Sequence, residues 1–533
     1  MKKYTFFVLL FFVSTYISLA QNIKTTLIEA EENIKLGTSS GDEFVKVGNN
    51  YYQVNYDIKY QFGFSGRLKN AKHTAELIKY DLNLKKIGSK KLTNNGSEKF
   101  GPLHSVSISL KDKFFFVFTE FDDSNDEMKF FAGEIDVNNF TIINKKYLFS
   151  SIIIDESALK MLFSNSKFSY RIVLNENKST VTVACISLAG KDVRFVTFDE
   201  NLNTIGNKEK LTFTMPKVSV FSDFSVDADN NKYFLTNLPE EESEKKEKLI
   251  NVFIVNTNGK ATQITVPKPT KDTLINKFYF ENSLKKDVKY LVCGYTTALK
   301  NKGFEDGVYI FTLNGTNNNI SNKYHVPYTL DLKQRLAKID FGRRDKDDYH
   351  VYPISFKIKE LNNNKLFICG QTSLVEVREY QRSSGGTTTT YKYYTGPLLA
   401  GFLSDKECDF KLILKYTQSN PGRNIPIVDL QHNKIRIVYM DGKKNIENDI
   451  NSNSVIESKG IYSLSLACAE FSIDGNFISK KMILGEPAKN CEYNLADAIK
   501  EGSNKFYIPI SKLTANFAEY IEKLNQILLL EFE

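Results

Sequence analysis

The sequence predicts an all-β protein: a single β-propeller of eight four-stranded blades, with seven as the fallback count, closed by pairing of its N- and C-terminal strands. Three observations carry this reading. Short runs of Phe, Tyr, Val and Ile alternate with polar residues and end at Asn, Asp, Gly or Lys, which is the pattern of strands and turns. A strand–turn–strand unit recurs eight times, with a second hairpin between successive copies. The last unit stops at ILLLEFE with no strand after it, and IKTTLIEA at residues 23–30 can supply the missing one.

Taken in order, the chain opens MKKYTFFVLLFFVSTYISLA, with Lys2 and Lys3 ahead of an apolar run and small Ser18 and Ala20 before a cut. Residues 1–20 read as a signal peptide, leaving Gln21 as the first residue of a propeller spanning 21–533. The apolar run is interrupted by Ser and Thr and falls short of the roughly 20 apolar residues a spanning helix needs. The first cysteine is Cys185, so none stands at the cut to carry a lipid. The expected location is periplasmic or secreted.

The eight strand–turn–strand units begin at Glu43, Ser105, Ser169, Phe224, Lys277, Ile354, Ile425 and Asn494. Second hairpins begin at Leu77, Phe130, Val193, Asn251, Val308, Leu398 and Ala469, and the eighth is incomplete. Ring closure by the N-terminal strand removes the exposed edges of a linear stack. Two tandem sandwiches would not keep one hairpin order throughout. Lys and Arg number 71 against 63 Asp and Glu, a formal +8, which is too mild for a dedicated nucleic-acid binder.

FSVDADNNKYFLTN from Phe224 resembles the core of NHL-type propeller repeats, and VKYLVCGYTT and NKLFICGQTS resemble SBBP-type repeats of secreted bacterial propellers. The resemblance covers about 15 residues in each of three blades. It implies a propeller that binds or displays outside the cytoplasm, and it transfers no catalytic residue. Where those repeats carry Thr, this chain has Cys293 and Cys369.

Both cysteines are expected near the ends of second strands, where a free thiol acts as a small hydrophobe. Equivalent positions on packed sheets lie about 10 Å apart, too far for a bridge that needs roughly 7 Å. Gly294 and Gly370 would allow a bulge or close approach, and Thr296 and Thr372 would satisfy loose backbone groups. Cys185 reads as core. Cys408 reads as a turn residue, and Cys408, Cys468 and Cys491 leave one disulfide open in an oxidising compartment.

First-to-second and third-to-fourth turns are short and share one face; the other face carries the long connections, where binding residues concentrate. Among these, 327–352 places Leu332, Leu336 and Ile339 at helical spacing, predicting a short helix that carries Arg335. Arg343 and Arg344 follow, suited to a carboxylate or sulfate, or to pairing with Asp345, Asp347 and Asp348, which the near cancellation of charge favours. Arg382, Tyr391, Tyr393 and Tyr394 flank SSGGTTTT within 373–396, read as a contact surface or as an edge strand or disordered loop. Phe517, Ile521 and Leu524 sit at helical spacing, predicting a C-terminal helix packed on the propeller.

No metal site or cofactor is expected. Asp227, Asp229 and Asn231 have calcium-loop spacing, but Lys232 and Leu238 stand where Gly and Glu belong. There is no G-x-S-x-G, H-E-x-x-H, P-loop or C-x-x-C, and the five histidines are scattered. Absence of Trp removes a common stacking surface, while carboxylates could still meet in the central funnel. The expected function is non-enzymatic binding of a protein or polysaccharide of the envelope or surface through the long-loop face. The alternatives are a funnel hydrolase or lyase, and a structural subunit of an envelope assembly.

Overall fold

The computed structural model describes residues 23–36, 44–62, 68–93, 106–122, 127–152, 168–187, 192–212, 221–239, 248–268, 273–297, 306–332, 350–361, 365–381, 387–404, 408–415, 417–418, 424–447, 464–487, 491–496, 498–501, 503–516 and 519–532. These form eight antiparallel blades of a β-propeller. Listing strands from the centre outwards, blade 1 is Phe44–Val47, Asn50–Phe62, Leu68–Tyr80 and Lys86–Lys91. Blade 2 is Val106–Leu110, Lys113–Asp122, Glu127–Asp136 and Thr141–Ile152; blade 3 is Phe168–Leu174, Thr180–Ser187, Asp192–Asp199 and Thr204–Thr212. Blade 4 is Phe221–Val226, Lys232–Pro239, Lys248–Val255 and Ala261–Thr265; blade 5 is Thr273–Asn282, Val288–Thr297, Gly307–Asn314 and Asn319–Pro327. Blade 6 is His350–Glu360, Leu366–Gln381, Thr387–Leu403 and Cys408–Ile413; blade 7 is Ile427–Gln431, Lys434–Asp441, Ser465–Ser472 and Phe477–Leu484.

Blade 8 closes the ring. Its inner edge is two short pieces, Cys491–Tyr493 and Ile499–Glu501, followed by Lys505–Asn516 and Glu519–Phe532, and its outer strand is the N-terminal Ile23–Leu36. The closing register runs from Ile23 against Phe532 to Glu29 against Gln526, then resumes after a bulge at Ile34 against Leu524.

Each blade is apolar on both faces, so its hydrophobic residues can be buried only by two neighbours. The buried apolar residues fall into eight clusters, one at every blade–blade interface. The run KFFFVF in blade 2 shows the logic. Phe114, Phe116 and Phe118 pack on blade 1, while Phe115 and Val117 point the other way onto blade 3. Alternation that would leave one face wet in an open sheet therefore becomes an unbroken apolar run.

The turns repeat one chemical device. Asp81 Oδ1 accepts from the N–H groups of Asn83 and Lys85 at 2.8 and 2.9 Å, and Asp199 does the same for Asn201 and Asn203 at 2.8 Å each. Asn256 Oδ1 accepts from Asn258 and Lys260 at 3.1 and 3.0 Å, and Asp227 Oδ1 from Asp229 and Asn231 at 3.0 and 2.8 Å. In each case the fourth residue turns left-handed: Leu84, Leu202, Gly259 and Asn230 have φ of 60°, 59°, 79° and 66°. The side-chain oxygen replaces a backbone acceptor and fixes the turn. Leu84 and Leu202 tolerate a backbone that disfavours them because their side chains are buried in the inter-blade cores.

Two expectations need correction, and one open question closes. Residues 512–516 and 519–525 are strand, not helix: Thr514 pairs antiparallel with Ile521 and Asn516 with Glu519, and the N-terminal strand adds to them at 34–36. A helix there would leave that strand without a partner, so sheet pairing overrides the helical spacing; Phe517 lies outside the described residues. Cys408 is not in a turn but opens the outer strand of blade 6, opposite Leu403. All six cysteines are free thiols, so the disulfide left open among Cys408, Cys468 and Cys491 is not formed. Of the helix predicted after 327, only its first turn is described: Leu332 N–H bonds Thr329 Oγ1 at 3.2 Å, an N-cap, and Leu332 is buried.

The closing sheet supplies a stability test. Leu528 is fully buried, whereas Leu27 in the adjacent strand is 45% exposed. Leu528→Ala should cost about 2–5 kcal/mol in urea unfolding, and Leu27→Ala less than about 1 kcal/mol.

Candidate functional site

Two regions gather chemistry, one at each end of the propeller. The first is the central channel, walled by the inner strands, which touch from blade to blade. Near the inner turns this wall carries Arg171 of blade 3, Asp223 of blade 4, Glu281 of blade 5, Lys357 and Lys359 of blade 6, Asp429 of blade 7 and Lys500 of blade 8.

Three carboxylates there are already engaged. Asp223 accepts from the N–H groups of Phe224 and Phe280 at 2.8 and 3.4 Å. Glu281 accepts from Lys357 Nζ at 3.3 Å and from the Ile358 N–H at 3.4 Å. Asp429, 1% exposed, holds Lys500 Nζ at 2.7 Å. Burial raises the Asp223 carboxyl despite its two N–H donors and the nearby Arg171. Burial likewise lowers the Lys359 ammonium, against the pull of Glu281 and Asp429.

Beside the channel, polar staples tie the inner turns of blades 3 to 6 together. Lys289 and Glu176 form an ion pair at 2.6 Å, and burial pushes the ammonium down and the carboxyl up. Glu360 Oε1 accepts from Tyr290 Oη, Ser283 Oγ and Leu284 N–H at 2.7, 2.5 and 3.0 Å. Asp227 Oδ2 accepts from Asn231 Nδ2 and Tyr233 Oη at 2.8 Å each, so both of its oxygens serve the turn.

The second region is the face of the long connections. Here 373–381 and 387–395 form a β-ribbon, paired from Ser373 against Thr395 to Gln381 against Thr387. Those nine pairs span roughly 30 Å. The inner strand of blade 6 pairs no further than Val375, the outer strand no further than Leu398, and Thr417–Gln418 covers only Tyr394 and Thr395. Among the described strands, none pairs with the outer edges of the ribbon at 376–381 and 387–393.

The root of this arm is fixed by buried polar groups. Thr395 Oγ1 and Thr417 Oγ1 are 2.6 Å apart, and Asn424 Nδ2 donates to Thr395 Oγ1 at 2.9 Å. Lys415 Nζ donates to Asn424 Oδ1 at 3.3 Å. Thr372 Oγ1 donates to Pro397 O at 3.0 Å, which is the role expected for it. A Cβ on Gly370 would come within 2.7 Å of the Phe356 ring, so the cysteine–glycine pair marks close packing. Cys293 and Cys369 lie in second strands and are fully buried in separate interface clusters.

Of the residues singled out from sequence, Arg335, Arg343, Arg344 and Arg382 lie outside the described residues. Tyr391 and Tyr393 stand on the arm opposite Val377 and Val375. Tyr394 is 3% exposed and belongs to the packed root, not to a surface, because it pairs with Leu374 where the blade proper begins. The channel charges were missed. Their signal is faint but present: a single charge inside otherwise apolar inner strands, as in FSDFSV, FYFEN and IVDLQ, or charges alternating with apolar residues, as in FKIKE.

Two tests follow. Since Asp223 titrates above 3.8 when folded, the folded chain holds this proton more tightly than the unfolded one. Its contribution to stability falls as pH rises through the window that opens near 3.8. Asp223→Asn should therefore raise the thermal midpoint at about pH 7, and the gain should vanish by about pH 3. Burial pushes the Cys369, Cys408 and Cys468 thiols up to about 12. In the native protein, alkylation mapped by mass spectrometry should be slow and confined to the half-buried Cys408, with all six thiols reacting in urea.

No protein-family model and no curated protein matches the sequence. Among solved structures, the chain is similar to the polysaccharide lyase Uly1, at 10% identity and a TM-score of 0.39, covering 96% of this chain and 99% of that one. It is similar to the WD40 domain of SCAP from fission yeast at 8% identity and 0.36, covering 96% and 98%. An oligogalacturonate lyase in complex with manganese matches at 8% and 0.32, covering 80% and 96%. Likeness at this level concerns the fold and carries nothing about activity.

Proposed function

We propose that the protein is an exported, non-enzymatic β-propeller that binds a protein or polysaccharide of the cell envelope or surface through its long-connection face. The arm of blade 6 is the main contact. The observation that carries this reading is the ribbon itself, whose stretches 376–381 and 387–393 gain no further strand among the described residues: sheet edges of this kind are a template for an extended partner segment. The run TTTTYKYY on its second strand is rich in residues that favour strand pairing. Main-chain pairing of this kind favours a protein partner over a glycan.

The rival reading, a hydrolase or lyase of the central channel, draws on the raised Asp223 carboxyl near Glu281. Against it, Glu281 is tied to Lys357 and Asp429 to Lys500, which suits a fixed ionic wall better than a free acid and base.

The test replaces residues 376–392 by Asn-Gly, which joins the cross-strand partners Val375 and Tyr393 with a two-residue turn. Wild type should capture a defined protein from envelope or medium fractions, and the shortened chain should lose it at least tenfold while keeping its thermal midpoint. Equal capture by both forms would remove the arm from the reading. Capture by neither would remove binding and turn attention to hydrolase and lyase assays.

A further inference from the structure

The outer strands of the blades make up the rim of the propeller, and exposed apolar residues are spread unevenly around it. Among the described residues, every large apolar side chain exposed on an outer strand belongs to blades 7, 8, 1 or 2, and none to blades 3 to 6. Blade 7 contributes Phe477, Ile478 and Met482, and blade 8 contributes Leu27. Ile87 stands on blade 1, with Leu82 in the turn before it, and Ile143 and Tyr147 on blade 2.

Two of these residues hold the same place in their blades. In blade 1 Tyr80 pairs with Lys86 and Lys79 with Gly88, so Ile87 is the extra residue of a β-bulge. In blade 7 Phe471 pairs with Phe477 and Glu470 with Ser479, which leaves Ile478 in that role. A bulge takes its extra residue out of the ladder and re-aims the side chain, and Ile87 and Ile478 are 51% and 45% exposed. Blade 5 has Lys323 at its outer bulge, and blade 2 has Asn144 and Lys145. A half-exposed isoleucine at such a point contributes little to the core, so packing does not account for it.

Blades 7 and 1 are the two neighbours of the closing blade. The outer strand of blade 8 packs Ile23 into the interface with blade 7 and Ile28 into the interface with blade 1, and exposes Leu27 between them, so the three rims form one strip. The outer strands of blades 7 and 1 carry Lys480, Lys481, Lys86, Lys90 and Lys91 and no acidic residue, while Ile23–Leu36 carries two lysines and three glutamates. Lys480 Nζ is taken up by Asn445 O at 2.9 Å, whereas Lys86 and Lys90 are exposed on either side of Ile87 along the strand. Excess positive charge repels a second copy of the strip, and with exposed aliphatic residues it complements an anionic lipid surface. The apolar run that ends at Ala20 joins the fold at Ile23, in the middle of this strip.

We propose that the rim of blades 7, 8 and 1 is a membrane-docking surface: Ile87, Ile478 and Leu27 enter the interface of an anionic bilayer while the lysines beside them engage its headgroups. Docking through the rim sets the ring edge-on to the bilayer. Both of its ends then stay clear, the arm at one and the channel mouth at the other. Membrane contact and the arm's role are therefore compatible, and neither depends on the other.

Vesicle co-sedimentation of the chain from Gln21 to Glu533 tests this, with phosphatidylcholine vesicles and with a seven-to-three mixture of phosphatidylcholine and phosphatidylglycerol. The mixed vesicles should bind saturably at low ionic strength and release most of the protein at about 0.5 M salt, and the neutral vesicles should bind at least about tenfold less. Ile87→Ser combined with Ile478→Ser should weaken binding several-fold at an unchanged thermal midpoint, because both residues stand outside the ladder. Lys86→Glu combined with Lys90→Glu should weaken it at least about tenfold. Lys285→Glu combined with Lys286→Glu, in an exposed turn of blade 5, changes the net charge equally and should bind as wild type does. No saturable binding to the mixed vesicles, binding by both rim variants within twofold of wild type, or an equal loss in the blade 5 variant would overturn the proposal. So would indifference to vesicles together with loss, in the rim variants, of a protein that wild type captures, since the strip would then serve a protein. The arm enters none of these readouts, so their failure is distinct from failure of the arm reading.

Discussion

Everything in this protein depends on the fact that a blade cannot bury its own hydrophobic residues. Each sheet is apolar on both faces, so it is stable only between two others, and the sole arrangement that leaves no face uncovered is a closed ring. The closure falls to one antiparallel pairing, the N-terminal Ile23–Leu36 against the C-terminal Glu519–Phe532. Bringing the two ends of so long a chain together is entropically modest, because the cost of loop closure grows only with the logarithm of length. In return the last interface is filled: Tyr51, Ile78 and Tyr80 of blade 1 pack on Ile527 of blade 8, and the rings of Tyr51 and Tyr507 meet edge-on at 6.2 Å.

Polar groups then decide how the blades sit relative to one another. Aspartate and asparagine side chains in the turns replace backbone acceptors. Longer reaches, such as Tyr290 and Ser283 to Glu360 or Lys289 to Glu176, cross between blades. Charges withdrawn from water in this way are tolerable only when paired. The pairs Lys289–Glu176, Arg436–Glu470 and Lys500–Asp429 meet that condition.

The strand direction separates two functional ends. Inner strands finish at short turns beside the charged channel mouth. Second and third strands meet at the opposite end, where in blades 1, 6 and 8 they run on past their neighbours as ribbons. Second strands of 8 residues in blades 3, 4 and 7 show that such length is not required for the fold. The ribbon of blade 6 is fixed at its root by Thr395, Thr417 and Asn424, so an extended edge is presented from a rigid base.

The sequence by itself determined the fold class, the order of hairpins and the donor of the closing strand, because alternation and turn chemistry are local properties repeated eight times. It also placed Cys293 and Cys369 in buried second strands, since their neighbours on either side already read as core. Only the tertiary structure decided the rest. Phe517, Ile521 and Leu524 have helical spacing, but a strand 490 residues away in sequence, around Ile34, needs that segment as a partner. The low-complexity run around Thr387 becomes a ribbon only because its register is imposed by the strand opposite. Channel residues such as Glu281 and Lys357, or Asp429 and Lys500, look unrelated along the chain; they meet because a ring brings the first strand of every repeat to one axis, and no local pattern encodes that convergence.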